Sequence, residues 1–86
     1  MEGRNPLEAL VALAKEVGRA RLLFPIADVP ERVRPHYYLG VIEEEFDEFR
    51  KEVYAFNPGK GRDTRPEMRE ELLQLAAMAL RAYLEV

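Results

Sequence analysis

Apolar positions along the chain recur at intervals of three and four, and no stretch sustains the alternation of a half-buried strand. Three helical segments are expected, separated by proline and glycine. The first runs from about Pro6 to Leu23. Asn5 suits its N-cap and Pro6 its first position, and Leu7, Leu10, Val11, Leu13, Ala14, Val17 and Ala20 form a wide apolar face. Pro25 and Pro30 end it and leave a short extended connector, Phe24 to Val29. The second helix starts near Pro35 and ends around Phe56. Its residues Ile42, Phe46, Phe49, Val53 and Phe56 are spaced 4-3-4-3, a seam that packs helix against helix. Asn57-Pro58-Gly59-Lys60-Gly61 breaks the pattern. The third helix begins after Thr64, where Thr64-x-x-Glu67 reads as a capping box, and continues to Val86.

That third helix carries two apolar seams. Met68, Leu72, Leu75, Ala79, Ala82 and Val86 make one; Leu73, Ala77, Leu80 and Leu84 make another, on roughly the opposite side at 100° per residue. A helix apolar on two faces is covered on two sides. With only two other helices to cover it, part of the cover is expected from another subunit, on the Leu73/Leu80/Leu84 side.

The 86 residues make one domain, and 48% of them are hydrophobic. A chain this short buries only about 60% of its unfolded surface when it folds alone. The fold expected is therefore all-α: a three-helix subunit that completes a helical bundle by homo-oligomerisation, as a dimer or tetramer.

Charge and composition narrow the functional classes. There is no cysteine, which rules out disulfides and thiolate metal sites. Net charge is −3 and the basic residues are scattered, so duplex nucleic acid, which needs a clustered positive face, is not expected as a partner. The stretch Met1 to Asn5 is polar, unlike a signal peptide. The longest apolar run, Leu75 to Leu80, is far short of the roughly 20 residues that span a bilayer. No helix has the basic polar face of a membrane-surface binder. A cytoplasmic protein is the expectation. Arginine outnumbers lysine ten to three, with two Asn and one Gln, a balance that suits a thermophile.

The chemistry lies in the carboxylates. On the second helix Glu43 and Asp47 point away from the apolar seam and read as a solvated face. Glu45 stands about 60° from Ile42, at the seam's margin, with Glu48 and Glu52 on the same edge. On the third helix Glu71 falls inside the Met68/Leu72/Leu75 seam and Gln74 borders it. Acids along an apolar seam are costly unless arginine or a divalent cation compensates them. Glu45 with Glu48, and Glu71 with Gln74, are i, i+3 pairs, each projecting from one helix face. Hard oxygen donors so grouped suit Mg²⁺ or Mn²⁺. A di-iron site would need Glu-x-x-His, and the single histidine, His36, stands at the start of the second helix, bordering it rather than binding metal.

The motif Glu44-Glu45-Phe46-Asp47-Glu48, followed after 22 residues by Glu71-Leu72-Leu73-Gln74, resembles the MazG-like all-α nucleoside triphosphate pyrophosphohydrolases. Those proteins carry Glu-Glu-x-x-Glu on one helix and Glu-x-x-Asp on the next. The flanking residues His36 to Ile42 and Arg69 to Leu80 look like a small single-domain branch of the family, and the resemblance covers residues 36–86. It implies Glu45, Glu48 and Glu71 as magnesium ligands, with Gln74 beside them where the family has Asp. In that pattern Glu44 is the supporting acid or water-orienting base, and Glu44 and Glu45 are the catalytic residues. It also implies water attack between the α- and β-phosphates of a nucleoside triphosphate, releasing monophosphate and pyrophosphate. Lys60, Arg62 and Arg65 in the interhelical loop are the candidates to meet the phosphates, and Tyr37, Tyr38 and Tyr83 the candidates to hold the base. The rival expectation is a non-catalytic oligomeric helical protein that keeps the scaffold and a weak cation site; Gln74 keeps it open.

Overall fold

A computed structural model describes residues 5–86; the polar Met1 to Arg4, part of the stretch read above as unlike a signal peptide, lies outside them. Three helices dominate: α1 (Pro6–Leu23), α2 (Arg34–Ala55) and α3 (Arg65–Glu85). No strand occurs among the described residues, only an isolated antiparallel bridge between Asn57 and Arg62. Among these residues, no helix is long and apolar enough to cross a membrane.

The ends of the helices follow local chemistry. The Asn5 side chain accepts from the Leu7 and Glu8 amides and caps α1. The connector expected to be extended folds into two short 3₁₀ turns, Ile26–Asp28 and Glu31–Val33, each set off by the preceding proline. The α2–α3 loop is closed by paired bonds between Asn57 and Arg62, and it turns at Gly61, whose φ of 74° favours glycine. Thr64 does not form the expected capping box. Its hydroxyl donates to the Glu52 carbonyl of α2, and Asp63 accepts from the Arg65 amide instead. Thr64 therefore ties the two helices together and leaves the first turn of α3 to Asp63.

Helix α3 is central. It packs along α2 and, more briefly, along α1, while the backbones of α1 and α2 stand apart. Val17 and Ala20 of α1 meet Ala77 and Met78 of α3 in the buried core, with Leu13, Val41, Ile42 and Leu80 packed around them. Both seams of α3 are thus served in part within the chain, while Leu72 and Val86 of one and Leu84 of the other stay exposed. The Leu73/Leu80/Leu84 side does have an intramolecular partner: Leu80 packs on the core and Leu73 is half-buried. The expectation that this face has no partner within the chain is corrected for Leu73 and Leu80, whereas Leu84 is 53% exposed.

Helix α2 is also rotated from its apparent seam. Phe46 and Val53 are exposed, whereas Tyr38, Glu45, Glu48, Glu52 and Phe56 face inward. The inward direction lies roughly 60° from the centre of the 4-3-4-3 stripe. That turn carries the glutamate edge into the interior.

The end of α1 is held by a buried ionic network. Arg81, 1% exposed, donates to the Ala20 carbonyl at 3.0 Å and to the Phe24 carbonyl, and pairs with Glu85 at 3.1 Å. Glu85 also accepts from the Tyr38 hydroxyl and from Arg21 at 2.7 Å. Burial alone would raise the Glu85 carboxyl, but these three donors outweigh it and hold the carboxyl below its usual range.

The chain is open for its size. Its radius of gyration is 14.7 Å, against about 12 Å for a compact chain of this length. Its accessible surface is 6456 Å², against about 5,200 Å² for a folded monomer of this mass. The excess lies partly on α1, where Leu7, Val11, Ala14, Gly18 and Leu22 form an exposed stripe away from Val17 and Ala20, and Leu7 and Val11 line an open groove with Leu72 and Leu73 of α3.

Candidate metal centre

The inward edge of α2 brings Glu45 and Glu48 against Glu71 of α3. One carboxylate oxygen from each of the three lies within 4.8 Å of the other two, and all three residues are half-buried. The placement follows from helix geometry: Glu45 and Glu48 are one turn apart on the same face, and Glu71 meets them because α3 packs along α2.

The electrostatics are those of acids crowded without a counter-charge. Burial raises the Glu45 carboxyl, and Glu48, Glu44 and Glu16 push it further. Glu71 is pushed up to about 7, first by burial, then by a hydrogen bond to Glu48 and by the charges of Glu48, Glu45 and Glu52. One oxygen of Glu45 and one of Glu71 are fully buried with no hydrogen-bond partner. Carboxylate oxygens in that state are stabilised by a proton or a hard cation. Three converging carboxylates with two orphaned oxygens fit Mg²⁺ or Mn²⁺ in donor type and charge.

The other sequence-derived residues fall as follows. Glu44 is exposed beside the cluster and outside it. Glu43 and Asp47 are solvated, and Asp47 pairs with Arg50. Gln74 is half-buried and helps to lower the Glu16 carboxyl of α1. Lys60 and Arg62 stand exposed on the α2–α3 loop. Arg65 is tied to Asp63 and stacks over Phe56, about 9 Å of helix rise from Glu71. Tyr38 is buried, bonded to Glu85 and edge-on to Tyr37, and so belongs to the α1-capping network. Tyr83 is 84% exposed.

Two residues near the cluster escaped the sequence reading, Glu16 and Arg19 of α1. Glu16 is 13% exposed at its side chain and is paired with Arg19, whose hydrogen bond lowers the Glu16 carboxyl despite its burial. The available signal was position: Glu16 lies one turn before Ala20, on the side of α1 that packs on α3. Compared with known protein families, curated proteins and solved structures, the chain matches none.

Proposed function

We propose that the chain is a Mg²⁺-dependent (or Mn²⁺-dependent) nucleoside triphosphate pyrophosphohydrolase of the MazG-like kind, a cytoplasmic homo-oligomer that converts a nucleoside triphosphate to monophosphate and pyrophosphate. The observation that carries the reading is the meeting of Glu45, Glu48 and Glu71 within 4.8 Å with two buried oxygens unpaired. Glu45, Glu48 and Glu71 would hold the ion, which screens phosphate charge and acidifies a bound water. Glu44, exposed beside the cluster, would accept a proton from attacking water. Arg19 on α1 and the loop cations Lys60, Arg62 and Arg65 supply the positive charge that a triphosphate tail requires. The uncovered stripe of α1 and the large exposed surface support pairing with a second copy.

One observation favours the rival, a non-catalytic oligomeric protein with a weak cation site. Arg65 is already committed to Asp63 and Phe56, and Arg19 to Glu16. A pyrophosphate-release screen over canonical and oxidised nucleotides, with Mg²⁺ and with Mn²⁺, separates the two. Release from at least one nucleotide, abolished by Glu48→Gln, is the expected outcome. No release from any nucleotide in a protein that binds Mg²⁺ decides for the rival.

A further inference from the structure

Four exposed positions on α1, Leu7, Val11, Ala14 and Gly18, are spaced 4-3-4, the seam of a helix that pairs with another helix. Leu7 is 73% and Val11 54% exposed. At Gly18 nothing packs within 4 Å of the place a Cβ would take. The seam is therefore bulky at one end and small at the other. Two copies laid head to tail interlock along it: Leu7 meets the partner's Gly18 and Val11 meets the partner's Ala14. A two-fold axis repeats both layers.

Charge agrees with that register. Glu8 follows Leu7 and Lys15 follows Ala14 on the same edge of the seam. Between the two layers, Glu8 of each chain then stands beside the partner's Lys15. Neither side chain has an ion pair among the described residues. A parallel pairing would set Gly18 against the partner's Gly18 and join no opposite charges. Area points to a second copy as well. The chain exposes 6456 Å², and its excess over the roughly 5,200 Å² of a folded monomer of this mass is larger than the ~800 Å² per partner of a standard interface. On the Glu8/Lys15 edge, the groove where Leu7 and Val11 face Leu72 and Leu73 adds apolar surface to the same side.

We propose that α1 is an interaction surface for α1 of a second copy in antiparallel register, with Leu7 on the partner's Gly18, Val11 on the partner's Ala14 and Glu8 on the partner's Lys15. The inference rests on the self-association in the reading above and is independent of the cation site.

The test is sedimentation equilibrium of the full chain, with circular dichroism on each variant. Glu8→Lys and Lys15→Glu should each weaken association about tenfold, since both symmetry-related pairs turn from attraction to repulsion. An equimolar mixture of the two variants should associate as tightly as the parent. One chain then carries two positive charges along the edge and the other two negative ones. Gly18→Leu should keep full helicity, because Leu is the better helix former, yet should weaken association by filling the space that Leu7 of the partner enters. A self-associating parent that ignores all three substitutions, or a mixture that does not recover, would overturn this register while leaving self-association standing. A parent that stays at 10.0 kDa at micromolar concentration would overturn both and leave the seam to a partner other than this chain.

Discussion

Glu71 of α3 faces Glu48 of α2 across the helix interface, with carboxylate oxygens of the two within 4.8 Å of each other and of Glu45, and burial together with Glu48 pushes the Glu71 carboxyl up to about 7. Both side chains are half-buried, and the second oxygen of Glu71 has no partner. An arrangement of this kind has two stable fillings, a proton or a cation. The behaviour of the protein follows from the exchange of one for the other.

Mg²⁺ should therefore stabilise the fold. At 100 times its dissociation constant, a ligand bound only by the folded state adds about 2.7 kcal/mol. Glu71→Gln should raise the stability of the cation-free protein at pH 8 by about 1–2 kcal/mol and abolish most of the gain from Mg²⁺. Thermal melts with EDTA and with 10 mM Mg²⁺, on the order of cellular concentration or above, read both effects. A parent whose melting temperature ignores Mg²⁺ has no useful cation site.

The pH dependence follows from the same proton. Burial and the neighbouring glutamates push the Glu71 carboxyl up to about 7 in the folded chain, against an ordinary value of 4.5. Between those values the folded state binds the proton more tightly than the unfolded state does, so stability falls as pH rises through the window and levels above it. Glu85 works in the opposite sense: its lowered carboxyl gives stability above the ordinary carboxylate value, lost as pH falls below it. Urea unfolding in EDTA from pH 4.5 to 8 should show the decline for the parent, and Glu71→Gln should flatten it. A parent whose stability rises over that range contradicts the assignment.

Arg81 is the side chain whose loss should hurt the fold most. Arg81→Ala leaves the buried Glu85 carboxylate with Tyr38 and Arg21 alone and removes the donor that ties the Ala20 and Phe24 carbonyls to α3. Breaking a buried pair from one side costs about 3–5 kcal/mol. Arg81→Lys should recover little, because a single ammonium cannot reproduce the guanidinium fork. Denaturant midpoints measure the loss; a change under about 1 kcal/mol would mean the network is solvated in solution.

Association and folding should separate by position. Leu80 packs on the Val17/Ala20/Ala77/Met78 core, so Leu80→Glu should unfold the subunit. Val11 is 54% exposed on the uncovered stripe of α1, so Val11→Glu should leave the helices intact and dissociate the assembly. Light scattering with circular dichroism distinguishes the outcomes. A parent of 10.0 kDa at micromolar concentration would refute self-association.

The three helices were legible along the chain because proline, glycine and a 3.6-residue period are local signals. The structure's α1 and α3 start where Asn5 and Thr64 mark them, and α2 begins one residue from the expected Pro35. The convergence of Glu45, Glu48 and Glu71 could also be anticipated, since i, i+3 spacing places acids on one face before any tertiary contact forms. What local pattern could not decide was the rotation of each helix about its own axis. The 4-3-4-3 stripe of α2 points one way, yet burial is shared among α3, the Tyr38 network and the Thr64–Glu52 bond, and their sum turns Phe46 out and the glutamates in. Nor could sequence say that α1 covers part of the second seam of α3, which brings Val17 and Ala20 onto Ala77 and Met78. Such contacts arise from packing energies summed over the whole subunit, and no window short enough to read by periodicity contains them.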